Sequence, residues 1–229
     1  MRSIDSGASP VSEFQLMLRR CLLAAFATLI VGGASARDAP VDYVIDDASD
    51  RGLMIVSMTI PLAESLGGRS PRQSYLYAKK GSIFGKELSL VERVLLEKDP
   101  SNDFDGVFGQ LKVIELPAGD YEFFNWSLNN MFKPREAERL PFTIVAGRAT
   151  YVGNLDLKVR VGRNAFGMKI VVDPRIFVVD QRERDLAVFR ARYTAVPADR
   201  IDIGLLPIGP WRMESADLEI PPPLVTPSQ

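Results

Sequence analysis

The residues best suited to contact a ligand form a short aromatic cluster near the middle of the chain. Tyr121, Phe123, Phe124 and Trp126 lie within one predicted strand. Because side chains alternate along a strand, Tyr121 and Phe123 are predicted on one face and Phe124 and Trp126 on the other. An open second face would make Phe124 and Trp126 a flat platform for a sugar ring, as in a carbohydrate-binding module. The pattern favours burial of all four, because aromatic strands usually pack.

An acidic loop ahead of the aromatic strand has part of the spacing of a calcium site. Aligned as an EF-hand from Ser101, Asp103 and Asp105 fall at ligand positions, but the twelfth position is Lys112 instead of glutamate. A helix-loop-helix context is not predicted. The pattern favours a solvated loop, with Asp99, Asp103 and Asp105 as a weak calcium candidate.

Other acidic residues give little support to catalysis. Glu92 and Glu97 could form the carboxylate pair of a hydrolase, but nothing distinguishes them from surface acids. The charged run 182–185 is interpreted as a solvated helix face. A carboxylate-based hydrolase is therefore the less favoured alternative to a non-catalytic binding or structural module of the cell envelope.

The near absence of two residue types excludes several kinds of site. The sequence has no histidine and a single cysteine, Cys21. Catalytic systems of the Ser-His-Asp and Cys-His types are excluded, as are ordinary zinc and copper sites. The sequence therefore predicts no metal and no cofactor.

The N-terminal region has the pattern of a signal peptide. Arg19 and Arg20 precede an apolar run at 21–31, and an Ala-Ser-Ala site ends at Ala36. The run is shorter than the about 20 residues that cross a bilayer, and Cys21 is misplaced for a lipid anchor. We predict a signal peptide over 1–36, with Met17 as an alternative start, and a periplasmic or secreted protein without a stable membrane anchor.

Composition limits the partners. Among 229 residues, 28 are basic and 29 acidic, a formal net charge of −1. This balance gives no bulk electrostatic case for nucleic acid or an anionic membrane surface. The expected partner is an envelope protein or a glycan.

The remaining pattern is that of an all-β protein. We predict a loose leader at 37–51, a β-sandwich at 52–196 with one helix at about 181–193, and a Pro-rich tail at 197–229. The prolines favour a free, extended tail, but residues 201–206 and Trp211 could still dock on the sandwich. Leu186, Phe189 and Tyr193 form the apolar stripe of the helix. In the strand at 149–161, Tyr151 is predicted to share a buried face with Leu155, and the other face to lie in water.

Two segments resemble known families. In Val113-Ile114-Glu115-Leu116-Pro117-Ala118-Gly119-Asp120-Tyr121-Glu122-Phe123, a turn is predicted with positive φ at Gly119 and with Tyr121 facing the core. This segment resembles the L-P-x-G-x-Y turn of transthyretin-like and carboxypeptidase-regulatory-like domains. Residues 142–153 resemble a hairpin of bacterial exported proteins that carry such a domain. The resemblance implies an antiparallel immunoglobulin-like or prealbumin-like β-sandwich and carries no catalytic residue.

Overall fold

The chain folds mainly into strands. The computed structural model describes residues 37–46, 48–61, 72–90, 102–129, 132–167 and 169–214; the predicted signal peptide lies outside them. The elements are β1 (Arg37–Asp38), β2 (Arg51–Pro61), β3 (Gln73–Lys79), β4 (Lys86–Leu90), β5 (Val107–Pro117), β6 (Gly119–Leu128), β7 (Glu136–Ala137), β8 (Leu140–Ile144), β9 (Ala149–Arg163), β10 (Lys169–Val179), α1 (Arg182–Arg192), a 3-10 turn (Ala198–Arg200), β11 (Ile201–Ile203), β12 (Gly209–Pro210) and β13 (Met213–Glu214).

Two main sheets form a sandwich. The larger has seven strands in the order β1-β5-β2-β9-β10-β12, with β11 paired to β9, and the smaller has the order β4-β3-β6-β8. Strands β7 and β13 form a separate pair. Most pairs are antiparallel, but β2 and β11 both run parallel to β9. The all-β prediction is confirmed, with parallel pairing at the centre of the larger sheet.

The larger sheet is covered on both faces. One face packs against the smaller sheet and forms the inter-sheet core, which includes Met54, Met58, Phe123, Trp126 and Leu155. The other face packs against α1 and forms the helix-side core, which contains the following buried residues: Ala39, Leu53, Ile55, Phe104, Leu111, Val113, Ala149, Tyr151, Leu186, Phe189, Tyr193 and Val196. Consequently β2 is buried on both sides, which hydrophobic alternation alone did not indicate.

A β-bulge in β9 places some of its side chains on the face of the sheet opposite to the predicted one. The register with β2 shifts by one residue at Val152–Gly153, and Gly153 has a φ of 118°. Val152 therefore joins Leu155 in the inter-sheet core, whereas Tyr151 lies in the helix-side core. The prediction that Tyr151 and Leu155 share a face is wrong, because the extra residue of a bulge switches the sides of the residues beyond it.

The predicted turn and helix are confirmed. Gly119 has a φ of 140°, and Tyr121 is buried with its hydroxyl donating to the Pro117 carbonyl at 2.8 Å. Helix α1 buries Leu186 and Phe189, and Asp180 accepts a hydrogen bond from the Arg182 N–H at 3.1 Å. Local turn chemistry and the apolar stripe were sufficient for both predictions.

The first residues of the predicted leader are ordered against the sheet. Strand β1 pairs with Ile114 and Glu115 of β5, and the Ala39 N–H donates to the Val113 carbonyl at 2.9 Å. The Tyr193 hydroxyl at the end of α1 donates to the Ala39 carbonyl at 3.1 Å. The prediction of a loose leader is therefore wrong for residues 37–39, because they supply an edge strand and a buried alanine.

The predicted tail docks on the sandwich as far as residue 214. Strand β11 lies beside β9, and Leu206 and Trp211 are 1% and 4% exposed in the inter-sheet core. The Trp211 indole N–H donates to the Glu138 carbonyl at 2.6 Å. The favoured prediction of a free tail is wrong for this part, and the alternative in which 201–206 and Trp211 dock is confirmed, because β11 and β12 pair with the larger sheet and Leu206 and Trp211 are buried between the sheets.

Candidate functional site

A groove lies where one edge of the larger sheet faces one edge of the smaller sheet. Its volume is about 270 Å³. Strands β1 and β5 form one side and β4 forms the other. The residues that line it are Arg37, Asp38, Tyr77, Lys86, Glu87, Leu88, Ser89, Lys112 and Ile114. The groove therefore combines two strand edges with side chains from four strands.

The strands beside the groove have edges with backbone groups directed away from their own sheets. Strand β4 pairs with β3 on one side, and no described strand pairs with its other side. On the facing sheet, β1 is a two-residue edge strand, and β5 is the one described strand that pairs with it. Such edges present N–H and C=O groups in the spacing that an added strand requires.

The floor of the groove is apolar and carries one hydroxyl. Leu88 and Ile114 are each 4% exposed, and Tyr77 is 3% exposed. Burial, with small contributions from Tyr121 and Asp38, raises the pKa of Tyr77 to about 12. The Tyr77 phenol is therefore neutral at ordinary pH, and no described residue makes a hydrogen bond with it.

The walls of the groove carry both signs of charge. Lys112 of β5 and Asp38 of β1 lie on one side of the groove, and Lys86 and Glu87 of β4 lie on the other. The Ser74 and Ser89 hydroxyls donate to the Glu87 carboxylate at 2.6 and 2.7 Å. These hydrogen bonds, followed by the ion pair with Arg72, lower the pKa of Glu87. Glu87 is therefore a fixed anion at neutral pH.

The aromatic platform considered from the sequence does not form. A β-bulge in β6 pairs Leu76 with Asn125 and Tyr77 with Phe123, so that Phe124 is the extra residue. Trp126 therefore faces the same way as Phe123 and is 2% exposed in the inter-sheet core. Phe124 is half-buried on the outer face, where the Arg139 guanidinium lies 6.0 Å from its ring centre. The predicted shared face of Phe124 and Trp126 is wrong because strict alternation does not continue through a bulge.

The acidic loop has a structural role at the edge of β5. The Asp103 carboxylate accepts the Leu111 N–H at 2.7 Å and pairs with Arg192 of α1 at 2.5 Å. The neighbouring Asn102 side chain accepts the Gly109 N–H at 2.8 Å, so the loop covers the strand edge. Asp105 is exposed, and Asp99 lies outside the described residues. Within the described part of the chain, no group of three or more acidic, His or Cys residues could hold a metal ion.

The charged run at the start of α1 contains a buried acid. Asp185 is fully buried, and its carboxylate accepts hydrogen bonds from the Ser57 hydroxyl at 2.5 Å and the Tyr151 hydroxyl at 2.7 Å. Arg184 pairs with its other oxygen at 2.7 Å and stacks over Phe104 at 4.0 Å. The interpretation of residues 182–185 as a solvated face is wrong for Asp185, because this residue joins the helix to the sheet.

Tyr151 acts as the neutral donor in this buried group. Burial, and then the nearby Asp185 carboxylate, raise the pKa of Tyr151 well above its usual range. The Gln181 N–H donates in turn to the Tyr151 hydroxyl at 3.2 Å. Both oxygens of the Asp185 carboxylate thus have partners, and these contacts anchor α1 to the larger sheet.

A second buried acid, Glu115, lies on the same face of the larger sheet. Its carboxylate pairs with Arg37 and, at 3.0 Å, with Arg51. Burial alone would raise the pKa of Glu115, but Arg37 and Arg51 outweigh it and hold the pKa below its usual range. Glu115 is therefore a fixed, paired anion.

The sequence did not indicate the groove. Its basic residues, Arg37, Lys86 and Lys112, come from parts of the chain far apart, and none belongs to a recognisable motif. The available signal was that Lys112 lies among the apolar residues Leu111, Val113 and Ile114 of β5. Glu92 and Glu97, the carboxylates considered for hydrolysis, lie outside the described residues.

Searches against known protein families, curated proteins and solved structures found no match. The resemblance to transthyretin-like and carboxypeptidase-regulatory-like domains therefore stays a prediction. Among the described residues, no helix has the length and apolar character needed to cross a membrane.

Proposed function

We propose that the protein is a non-catalytic binding module of the cell envelope that takes an extended polypeptide segment of a partner protein into the groove between β1 and β4. The observation that carries this proposal is the meeting of two strand edges over an apolar floor. Addition of a strand to a sheet edge is a common mode of peptide recognition, in which the backbone gives affinity and the adjacent pockets give specificity.

The details of the groove agree with a peptide ligand. An added strand would place alternate side chains over Leu88 and Ile114, and the Tyr77 hydroxyl could bond one of its polar groups. Lys112 and Glu87 offer charges of both signs, which suits a segment carrying acidic and basic residues. The location in the envelope rests on the signal-peptide pattern, and N-terminal sequencing of the exported protein should begin at Arg37.

The state of the buried acids supports a non-catalytic role. Asp185 and Glu115 are each held by hydroxyl or guanidinium donors. Glycoside hydrolysis needs two carboxyl groups facing a common substrate. A glycan-binding module is the alternative, but Trp126 is not available on the surface to form its platform.

A phage-displayed peptide library, selected on the purified protein, tests the proposal. We expect an enriched extended peptide that slows amide hydrogen exchange in β4 when it binds. Lys112→Glu should weaken this binding about tenfold, the scale of one charge contact in a partly desolvated site. Lys80→Glu, in the exposed β3–β4 turn, is the matched control and should leave it unchanged.

Two results would contradict the proposal. Exchange protection confined to another surface would remove the groove as the site. Binding of an oligosaccharide from a glycan array, with no peptide enriched, would favour the carbohydrate-binding alternative.

A further inference from the structure

The far end of the β9–β10 hairpin is a two-stranded ribbon that extends beyond the rest of the larger sheet. Pairing between β2 and β9 ends at Asp156, and pairing between β9 and β10 continues to Arg163 and Lys169. Strand β12 contacts β10 only at Phe177 and Val178. No other described strand pairs with the ribbon, which we define as residues 158–175.

The ribbon concentrates positive charge in a chain that is nearly neutral. Its sequence has five basic residues, Lys158, Arg160, Arg163, Lys169 and Arg175, and one acidic residue, Asp173. The formal net charge is therefore +4, whereas that of the whole chain is −1. Arg160 is exposed and forms no ion pair with a described residue.

The tip of the ribbon is apolar and has a defined turn. Phe166 is 86% exposed, the second most exposed of the large apolar residues in the described part. The Asn164 side chain accepts the Phe166 N–H at 3.0 Å, and the Asn164 carbonyl accepts the Gly167 N–H at 2.9 Å. These hydrogen bonds hold the turn that presents the phenyl ring to solvent.

Positive charges lie behind the tip on both faces of the ribbon. Arg163 alternates with Arg160 and Lys158, so that it lies on the opposite face from them. Its guanidinium donates to the Gly167 carbonyl at 2.7 Å, directly behind the tip. Arg175 is paired opposite Lys158 and shares its face. Cations thus lie on both faces of the ribbon behind Phe166. Lys158 pairs with Asp156 and Arg175 pairs with Asp173.

We propose that this ribbon docks end-on to an anionic lipid bilayer, with Phe166 in the interface and the arginines against the headgroup phosphates. Aromatic side chains partition into the headgroup region, and each cation near an anionic surface adds about 1 kcal/mol. A rod-like nucleic acid lying alongside the ribbon would be expected to select cations on one face, whereas an end-on approach uses both. The ribbon and the peptide groove share no residue, so the two proposals can fail independently.

Flotation of the purified protein with lipid vesicles tests this proposal. We expect binding to vesicles of phosphatidylglycerol and phosphatidylcholine, little binding to phosphatidylcholine alone, and weakening by salt. Arg160→Glu should lower the partition coefficient at least about fivefold. Phe166→Ser should lower it by a similar factor, because the apolar contact is lost.

Matched controls come from the other exposed hairpin. Lys80→Glu and Phe84→Ser change the same residue types at exposed positions of the β3–β4 turn and should leave partitioning unchanged. Phe166→Trp provides a direct readout, since its emission should move to shorter wavelengths when anionic vesicles are added. Both native tryptophans are already buried.

Three results would overturn the proposal. The first is equal binding to neutral and anionic vesicles. The second is a loss of partitioning in the control variants equal to that in the ribbon variants. The third is a tryptophan emission of Phe166→Trp that does not shift when anionic vesicles are added. Tighter binding to a single-stranded oligonucleotide that Arg160→Glu abolishes would assign the ribbon to nucleic acid instead.

Discussion

The two faces of the seven-stranded sheet are both buried, but different interactions hold their coverings in place. On the inter-sheet face, β2 contributes Met54, Met58 and Ile60, and the contact is apolar along its whole length. On the helix-side face, β2 begins with Leu53 and Ile55 but continues with Ser57 and Thr59. There the covering helix is joined to the sheet by the Asp185 carboxylate.

This difference shows how a short helix acquires a fixed position. Apolar contacts are non-directional, so α1 could slide over Leu53 and Ile55 at small cost. The hydrogen bonds that the Ser57 and Tyr151 hydroxyls donate to Asp185 have defined lengths and directions, and they set one position for the helix. The inter-sheet core needs no such hydrogen-bonded anchor, because the interdigitated side chains of the two sheets already fix the position of one sheet relative to the other.

The strongest test of this comparison removes the anchor. We expect Asp185→Ala to lower the free energy of unfolding by about 3 to 5 kcal/mol, because it leaves Arg184 and two buried hydroxyls without their acceptor. Urea unfolding measures the change. Glu183→Ala, an exposed acid in the same helical turn, should cost less than about 1 kcal/mol. A similar small decrease in the free energy of unfolding in both variants would show that the Asp185 hydrogen bonds do not fix the position of the helix.

The inter-sheet face can be tested through the C-terminal segment. We expect Leu206→Ala to cost about 2 to 4 kcal/mol, since it opens a cavity in an apolar contact. Ile208→Ala, two residues later and 59% exposed, should change stability by less than about 0.5 kcal/mol. If Leu206→Ala and the unmodified protein instead unfold at the same denaturant concentration, the tail is not docked.

The smallest expected effect concerns the pH dependence of the helix-side face. The pKa of Glu115 is lowered in the folded protein, so its stabilisation is complete above the unfolded-state pKa of about 4.3 and is lost as pH falls through the folded-state value. Glu115→Gln should therefore cost about 1 to 2 kcal/mol at neutral pH and progressively less in acid. Unfolding at several pH values measures this, with exposed Glu136→Gln as control. A constant difference across the range would contradict it.

Positive and negative charges are unevenly distributed over the molecule. Net charge near zero suggested that no polyanionic surface is a partner, yet the ribbon gathers five of the basic residues. Acids elsewhere are used internally, as Asp185 and Glu115 are. A net charge near zero therefore does not exclude a strongly charged region, because the basic and acidic residues that cancel in the sum lie in different parts of the fold.

The sequence by itself determined the features that are encoded over about ten neighbouring residues. The strand alternation, the Gly119 turn and the apolar stripe of α1 were all predictable, since each depends on local backbone preference and periodicity. The absence of histidine and the single cysteine restricted the chemistry equally directly. These conclusions require no knowledge of what packs against what.

Tertiary structure alone decided which faces are covered and where binding surfaces lie. One extra residue at Phe124 and another at Val152 changed the sides of Trp126 and Tyr151, and sequence alternation does not reveal such bulges. The groove joins Lys112 to Lys86 and Arg37 through strand pairings that are remote in sequence. Trp211 is buried because the inter-sheet core has room for it beside Tyr75 and Phe123, a property of the assembled sheets and not of the proline-rich segment itself.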